Sequence, residues 1–288
     1  MKKLIPFLGI LVALLLMIPV GAPIQMEASP MQGVNVPAKG AGPIGMGTEE
    51  STNWSGYAVT GTSATSVSGS WQVPAVSSSG YAAAWVGIDG YSSDTVEQIG
   101  TMQEYSGKTT TYYAWWEMYP GPMYELSNPV SAGDLMTATV TYVSGNEFQL
   151  TLTDSTKDWT FSKPESVNAQ PDMRASQDSS NPVENYDSQL FNRPAARTQS
   201  PARSSVEWIM EAPSSGTGIL PLADFGTIGF SGAMAAFSGA TAPISNFGNN
   251  VQEITMVTSN GVTTKAKPSG LTTSTTGGSS FSVTWEHS

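Results

Sequence analysis

The chain contains no cysteine. Disulfides cannot staple it, and no thiolate can serve as nucleophile or metal ligand, so stability must come from a large core. Histidine is almost as scarce: the single one is His287, the penultimate residue. A Ser-His-Asp triad or a histidine-ligated metal would have to rest on a chain terminus, where order is poorest. Charge is short as well, at 12% of residues against about 25% in an ordinary domain. The deficit falls on the basic side, with 12 Lys+Arg against 23 Asp+Glu and a net charge of −11. That balance argues against nucleic acid and anionic membranes as partners. It also suits acid: when carboxylates protonate, few unopposed cations remain to drive the fold apart. After residue 30 no uninterrupted apolar run approaches the roughly eighteen residues of a membrane helix.

Catalysis, if present, therefore falls to carboxylates, amides, hydroxyls or amines. No cofactor is expected. No metal is expected either, because Glu147, Asp154 and Asp158 are too far apart for a calcium loop and the 13 methionines are scattered like core filler.

The 288 residues divide by composition. Lys2-Lys3, an apolar run to Val20 and then Gly21-Ala22 read as a signal peptide over residues 1–22, with a cut after Ala22 or Ala28. An uncleaved anchor is the alternative, but prolines and a glycine interrupt the run. Export would leave a secreted, soluble chain. Residues 23–50, rich in Pro, Gly and Met without periodicity, read as a pro-segment or flexible arm. From Asn53 onward short Val-, Thr-, Tyr- and Trp-rich runs alternate with Gly/Ser/Asp/Asn turns. The runs fall at 56–59, 66–73, 82–88, 111–119, 135–142, 147–153, 205–211, 255–258 and 280–285. No amphipathic helix of ten or more residues interrupts them. The pattern predicts an all-β domain over 51–288, a sandwich or barrel of antiparallel sheets. A polar stretch at about 164–204, with Arg174, Arg193, Arg197 and Arg203, reads as an insertion between two strands.

Alternation places particular residues together. Trp85, Gly87 and Asp89 share one face of their strand, as do Tyr113, Trp115, Glu117 and Tyr119 of another. Glu207, Ile209 and Glu211 share a third, with Trp208 and Met210 facing away. Tryptophan beside glutamate is not the usual content of a solvated sheet face. Such faces fit an aromatic-lined cleft, or else a second core with glutamates at strand ends; spacing does not choose between them. Nor does it choose the substrate, since paired carboxylates serve glycoside hydrolysis and one carboxylate can activate water at a peptide bond.

Six motifs occur in order: Asn53-Trp54-Ser55-Gly56-Tyr57, Ser70-Trp71-Gln72-Val73-Pro74, Ala84-Trp85-Val86-Gly87-Ile88-Asp89-Gly90, Glu97-Gln98-Ile99-Gly100-Thr101, Trp115-Trp116-Glu117-Met118-Tyr119-Pro120 and Val206-Glu207-Trp208-Ile209-Met210-Glu211. Together they resemble the glutamic peptidases, the pepstatin-insensitive acid endopeptidases also called eqolisins, over roughly residues 53–285. The resemblance implies a sandwich of two curved antiparallel sheets, similar to the lectin and glucanase (jelly-roll type) folds. It implies a catalytic pair of Gln98 and Glu211, with Glu207 as rival to the latter, and cleft positions at Trp85, Asp89 and Glu117. Polypeptides are the implied substrates, and a monomer is expected. A carbohydrate binder or glycosidase on the same architecture is the competing reading; it would show a close acid pair such as Glu117 and Glu211 with no amide between them. Two features depart from the familiar fungal pattern: the lack of disulfides, and a pro-segment whose only basic residue over 23–50 is Lys39.

Overall fold

The computed structural model describes residues 26–33, 46–167, 200–273 and 277–288. The expected signal peptide, and residues 168–199 of the expected insertion, lie outside the described residues, as do Arg174, Arg193 and Arg197. Strands account for nearly all the regular structure, and a 3-10 helix spans Ile244–Asn250. The fold is the expected all-β sandwich.

Hydrogen bonding runs through two layers. The first contains Tyr124–Pro129, Thr109–Tyr119, Val96–Ser106, Gly80–Ile88, Ser205–Glu211, Trp54–Thr60 and Val251–Val257, each paired antiparallel with the next. The second runs from Ser279–Trp285 through Thr227–Phe237, Ala64–Gln72, Leu135–Ser144 and Glu147–Asp154 to Trp159–Ser166. Thr264–Pro268 pairs with a strand of each layer and joins them at one side.

Strand alternation gives the first layer two apolar faces. Val86, Ile88, Trp116, Met118, Trp208 and Met210 point into the main core between the layers. Two indoles there find polar partners in the opposite layer: Trp208 Nε1 donates to Ser68 O (2.8 Å), and Trp71 Nε1 to Thr101 Oγ1 (3.1 Å). Burial of a tryptophan without stranding its N–H stabilises the core. Trp54, Trp85, Trp115, Met102 and Ile209 form a second cluster on the other face. That face carries the candidate site.

Several strands were invisible to the run-by-run reading. Val96–Ser106, which carries Gln98, interleaves Gly and polar residues; Thr227–Phe237 is rich in Gly and Ala. The expected boundaries also shift. Gly47–Ser51 joins the sheet edge in parallel with Val251–Val257, so residues 47–50 belong to the domain rather than to a free arm. Trp159–Ser166 continues through Pro164, so the first residues assigned to the insertion are strand. Among the described residues it pairs on one side only, and proline is tolerated on such an edge.

Candidate active site

Register aligns the functional side chains in rows across the second face. Ala58, Glu207, Gly87, Gln98 and Glu117 lie abreast on five adjacent strands. Two residues further along Ser205–Glu211, the next row is Gly56, Ile209, Trp85, Gly100 and Trp115, and the one beyond is Trp54, Glu211, Ala83, Met102 and Tyr113. The glycines make the floor low. A Cβ on Gly87 would lie 2.9 Å from the Trp85 ring and 3.1 Å from Gln98 Cβ. The Trp85 ring can therefore pass over Gly87 while its indole N–H reaches Glu211 Oε2 at 2.8 Å. Trp54 meets Trp85 edge to face, with centroids 4.9 Å apart.

Residues 26–33 run across this floor. Met26–Glu27 pairs antiparallel with Ser214–Ser215, in a small three-stranded sheet completed by Gly218–Ile219. Ala28 N–H donates to Glu117 Oε2 (3.1 Å), and Ala28 O accepts from Gln98 Nε2 (2.9 Å). Ser29 N–H donates to Glu211 Oε1 (2.9 Å), and Ser29 O accepts from Trp54 Nε1 (2.9 Å). Asn53 Nδ2 reaches Pro30 O (3.2 Å) and lies 3.4 Å from Glu211 Oε1. Gln98 and Glu211, two strands apart in the sheet, thus meet at opposite ends of one peptide unit.

The remaining expected residues divide. Glu117 stands beside the pair, its Oε2 also accepting from Gln98 Nε2 at 3.1 Å. An amide is thus present beside the acids, contrary to what the glycosidase reading required. Asp89 does different work: its carboxylate accepts from the backbone N–H groups of Arg203 (2.6 Å) and Ser204 (2.8 Å), fastening the chain where it re-enters the sheet. The Arg203 guanidinium stacks 3.7 Å from the Tyr142 ring centroid. Glu207 is buried toward Asp89 and Glu97 rather than on residues 28–29. Asn53 and Trp54 stood in a recognised motif without an assigned role. Trp54 reaches the site because register sets it opposite Glu211, and that register could not be read from the run of letters.

Burial dominates the electrostatics. It pushes the Glu211 carboxyl up to about 8, against hydrogen bonds from Ser29, Trp85 and Asn53 that favour the charged form. Burial also lifts Glu117 well above the usual carboxylate range, followed by the nearby charges of Glu211 and Glu27. Burial thus disfavours the charged form of both acids while residues 26–33 cover them. No group of three or more His, Cys, Asp or Glu among the described residues could hold a metal ion. No helix among them is long and apolar enough to cross a membrane.

Comparison with known proteins gives one answer. The family model described as the peptidase A4 family matches residues 52–285. The chain is 30% identical over 217 residues to aspergillopepsin-2 of Aspergillus niger, covering 67% of each chain. Its fold is similar to scytalido-glutamic peptidase solved with a transition state analog inhibitor: the TM-score is 0.62 at 23% identity, over 82% of this chain and 98% of that one. It is also similar to aspergilloglutamic peptidase from Aspergillus niger, with a TM-score of 0.53 at 24% identity, over 72% of this chain and 99% of the other. The chain therefore belongs to the peptidase A4 (eqolisin) family and is a glutamic-type endopeptidase whose substrates are polypeptides.

Proposed function

We propose that the chain is a secreted, monomeric acid endopeptidase in which Glu211 activates water and Gln98 stabilises the tetrahedral intermediate. One observation carries this reading: the carbonyl oxygen of a bound peptide unit lies on Gln98 Nε2, and its N–H lies on Glu211 Oε1. A Glu211 carboxylate takes a proton from water as the oxygen attacks the carbonyl carbon, then returns it to the leaving nitrogen. The oxyanion forms where Gln98 already donates, and one such donor is worth about 10²–10³ in kcat. Gln98 Oε1, buried without a partner among the described residues, is free to accept from the attacking water. An amide does not titrate in acid, so Gln98 keeps its role where an imidazole would be charged.

Glu211 must be ionised to act as the base. Burial is the largest cause of its raised pKa, and departure of residues 26–33 admits water and removes much of that cause. The N–H donors Trp85 and Asn53 stay in place and favour the carboxylate. Export and the absence of nucleic-acid or membrane partners are supported by the leader composition and the net negative charge.

The test is hydrolysis of an unfolded protein from pH 2 to 7 with pepstatin present. Acid-limited, pepstatin-resistant cleavage by wild type, abolished in Glu211→Gln, is expected. No cleavage by properly processed wild type at any pH would overturn the proposal.

A further inference from the structure

We infer that Glu117 is a positioning residue that works as a neutral acid: it fixes the direction of the Gln98 amide, and its own ionisation ends turnover as pH rises. The role rests on the reading of Gln98 and Glu211 as the catalytic pair and adds a third group to it.

Strand register puts Glu117 directly opposite Gln98. A side-chain amide can be turned either way, and only one way presents an N–H to the oxyanion. Glu117 Oε2 accepts from Gln98 Nε2 at 3.1 Å, which turns the nitrogen to that side and the amide oxygen away. The other hydrogen on Nε2 then reaches the carbonyl oxygen of the peptide unit at 2.9 Å. Glu117 Oε2 accepts from Ala28 N–H as well (3.1 Å), whereas Glu117 Oε1 is buried with no partner among the described residues. A neutral carboxyl accepts on one oxygen and keeps its proton on the other. Two donors on Oε2 and none on Oε1 fit that form.

The distribution of charge favours it too. Glu117 and Glu211 accept from the N–H groups of consecutive residues, Ala28 and Ser29, and so flank the reacting carbonyl. Glu27 lies close to Glu117, and Glu207 stands in the same row, beyond Gln98 and Gly87. No cation offsets these four acids: among the described residues the ion pairs are Lys157–Asp134 and Lys163–Glu165. Neighbouring carboxylates of like charge push one pKa strongly upward. Trp85 and Asn53 donate to Glu211 and favour its charge, so the negative charge belongs on the base and the proton on Glu117. Burial, then the charges of Glu211 and Glu27, lifts Glu117 well above the usual carboxylate range. The Glu211 charge remains when residues 26–33 have left. Once Glu117 ionises, Oε2 competes for the Gln98 N–H groups and sets a second negative charge beside the oxyanion. Turnover then stops.

The experiment measures kcat and KM on one peptide from pH 2 to 8 for processed wild type, Glu117→Gln, Glu117→Ala and Gln98→Ala. Circular dichroism at each pH confirms folding. Glutamine reproduces the neutral acid, with an acceptor oxygen for Gln98 and no proton to lose. Glu117→Gln is expected to keep turnover in acid and to carry the alkaline limb of kcat/KM upward by about one pH unit or more. Glu117→Ala leaves the amide unheld, so its kcat is expected to fall about 10²–10³-fold, as in Gln98→Ala, with a smaller change in KM. An alkaline limb at the wild-type position in folded Glu117→Gln would overturn the inference and leave the proposed function standing. No turnover at any pH in folded Glu117→Gln would make Glu117 a proton carrier and overturn it as well. Full activity in Gln98→Ala would remove both.

Discussion

Trp85 donates its indole N–H to Glu211 Oε2 at 2.8 Å while its ring lies over Gly87, the neighbour of Gln98 in the adjacent strand. One side chain thereby links the floor under the glutamine to the carboxylate of the glutamate. The hydrogen bond favours the ionised carboxyl, so its loss should raise the Glu211 pKa. Trp85→Phe is expected to shift the acid limb of the kcat/KM profile to higher pH. A hydrogen bond to a charged group is worth about 1.5–3 kcal/mol, which predicts a loss of roughly tenfold to a hundredfold in kcat/KM at acid pH. A profile unchanged in shape would deny Trp85 that role.

Gly87 supplies the space for that arrangement. A methyl group 2.9 Å from the Trp85 ring and 3.1 Å from Gln98 Cβ forces one of them to move. Gly87→Ala is expected to fold, with about 1–3 kcal/mol lost to overpacking, and to lose more activity than stability. Urea unfolding beside kcat/KM would show the imbalance; full activity would mean that the ring yields without consequence.

Asp89 tests a different role. Its carboxylate fastens residues 203–204 by two backbone N–H groups, so Asp89→Ala should cost about 1–3 kcal/mol of stability. Because it touches neither Gln98 nor Glu211 through those bonds, KM and kcat of the folded fraction should change by only a few-fold. A loss of kcat comparable to that of Gln98→Ala would return Asp89 to the cleft.

Stability should fall from acid toward neutral pH. Burial raises the Glu97 and Glu207 carboxyls well above 4.5, with the charge of Asp89 adding to each. Between about 4.5 and the raised folded values, the folded chain holds protons that the unfolded chain has lost, so stability declines as pH rises. The contribution is complete below about pH 4.5, where both states are protonated. Thermal unfolding of the inactive Glu211→Gln chain should give a higher Tm at pH 4 than at pH 7, each kcal/mol being worth about 2–4 °C in a domain of this size. Glu97→Gln should raise Tm at pH 7 and leave it nearly unchanged at pH 4. A Tm that rises toward neutrality would contradict this.

The side-chain faces were legible because alternation needs only local sequence. Glu207, Ile209 and Glu211 share a face, with Trp208 and Met210 on the other, as the period of two required. The choice between cleft and second core resolves as both: Trp54, Trp85 and Trp115 form an apolar cluster, and Ala28 belongs to it. Pairing partners were not legible. That Glu211 lies opposite Trp54, and that Gln98 and Glu117 are abreast, depends on contacts between residues far apart in the chain. Residues 26–33 lacked periodicity because they are held mainly through backbone atoms, which leave little trace in composition. The Gly/Ala-rich strand Thr227–Phe237 escaped for a related reason, since its small side chains carry a weak alternation signal.

The most direct test compares kcat for wild type, Gln98→Ala, Glu211→Gln and Glu207→Gln on one peptide at acid pH. Each variant is first processed by traces of wild-type enzyme that are then removed, and each is checked for native circular dichroism. Expected are a loss of about 10²–10³ for Gln98→Ala, no detectable turnover for Glu211→Gln and near wild-type turnover for Glu207→Gln. Turnover surviving in Glu211→Gln and vanishing in Glu207→Gln would instead make Glu207 the catalytic acid.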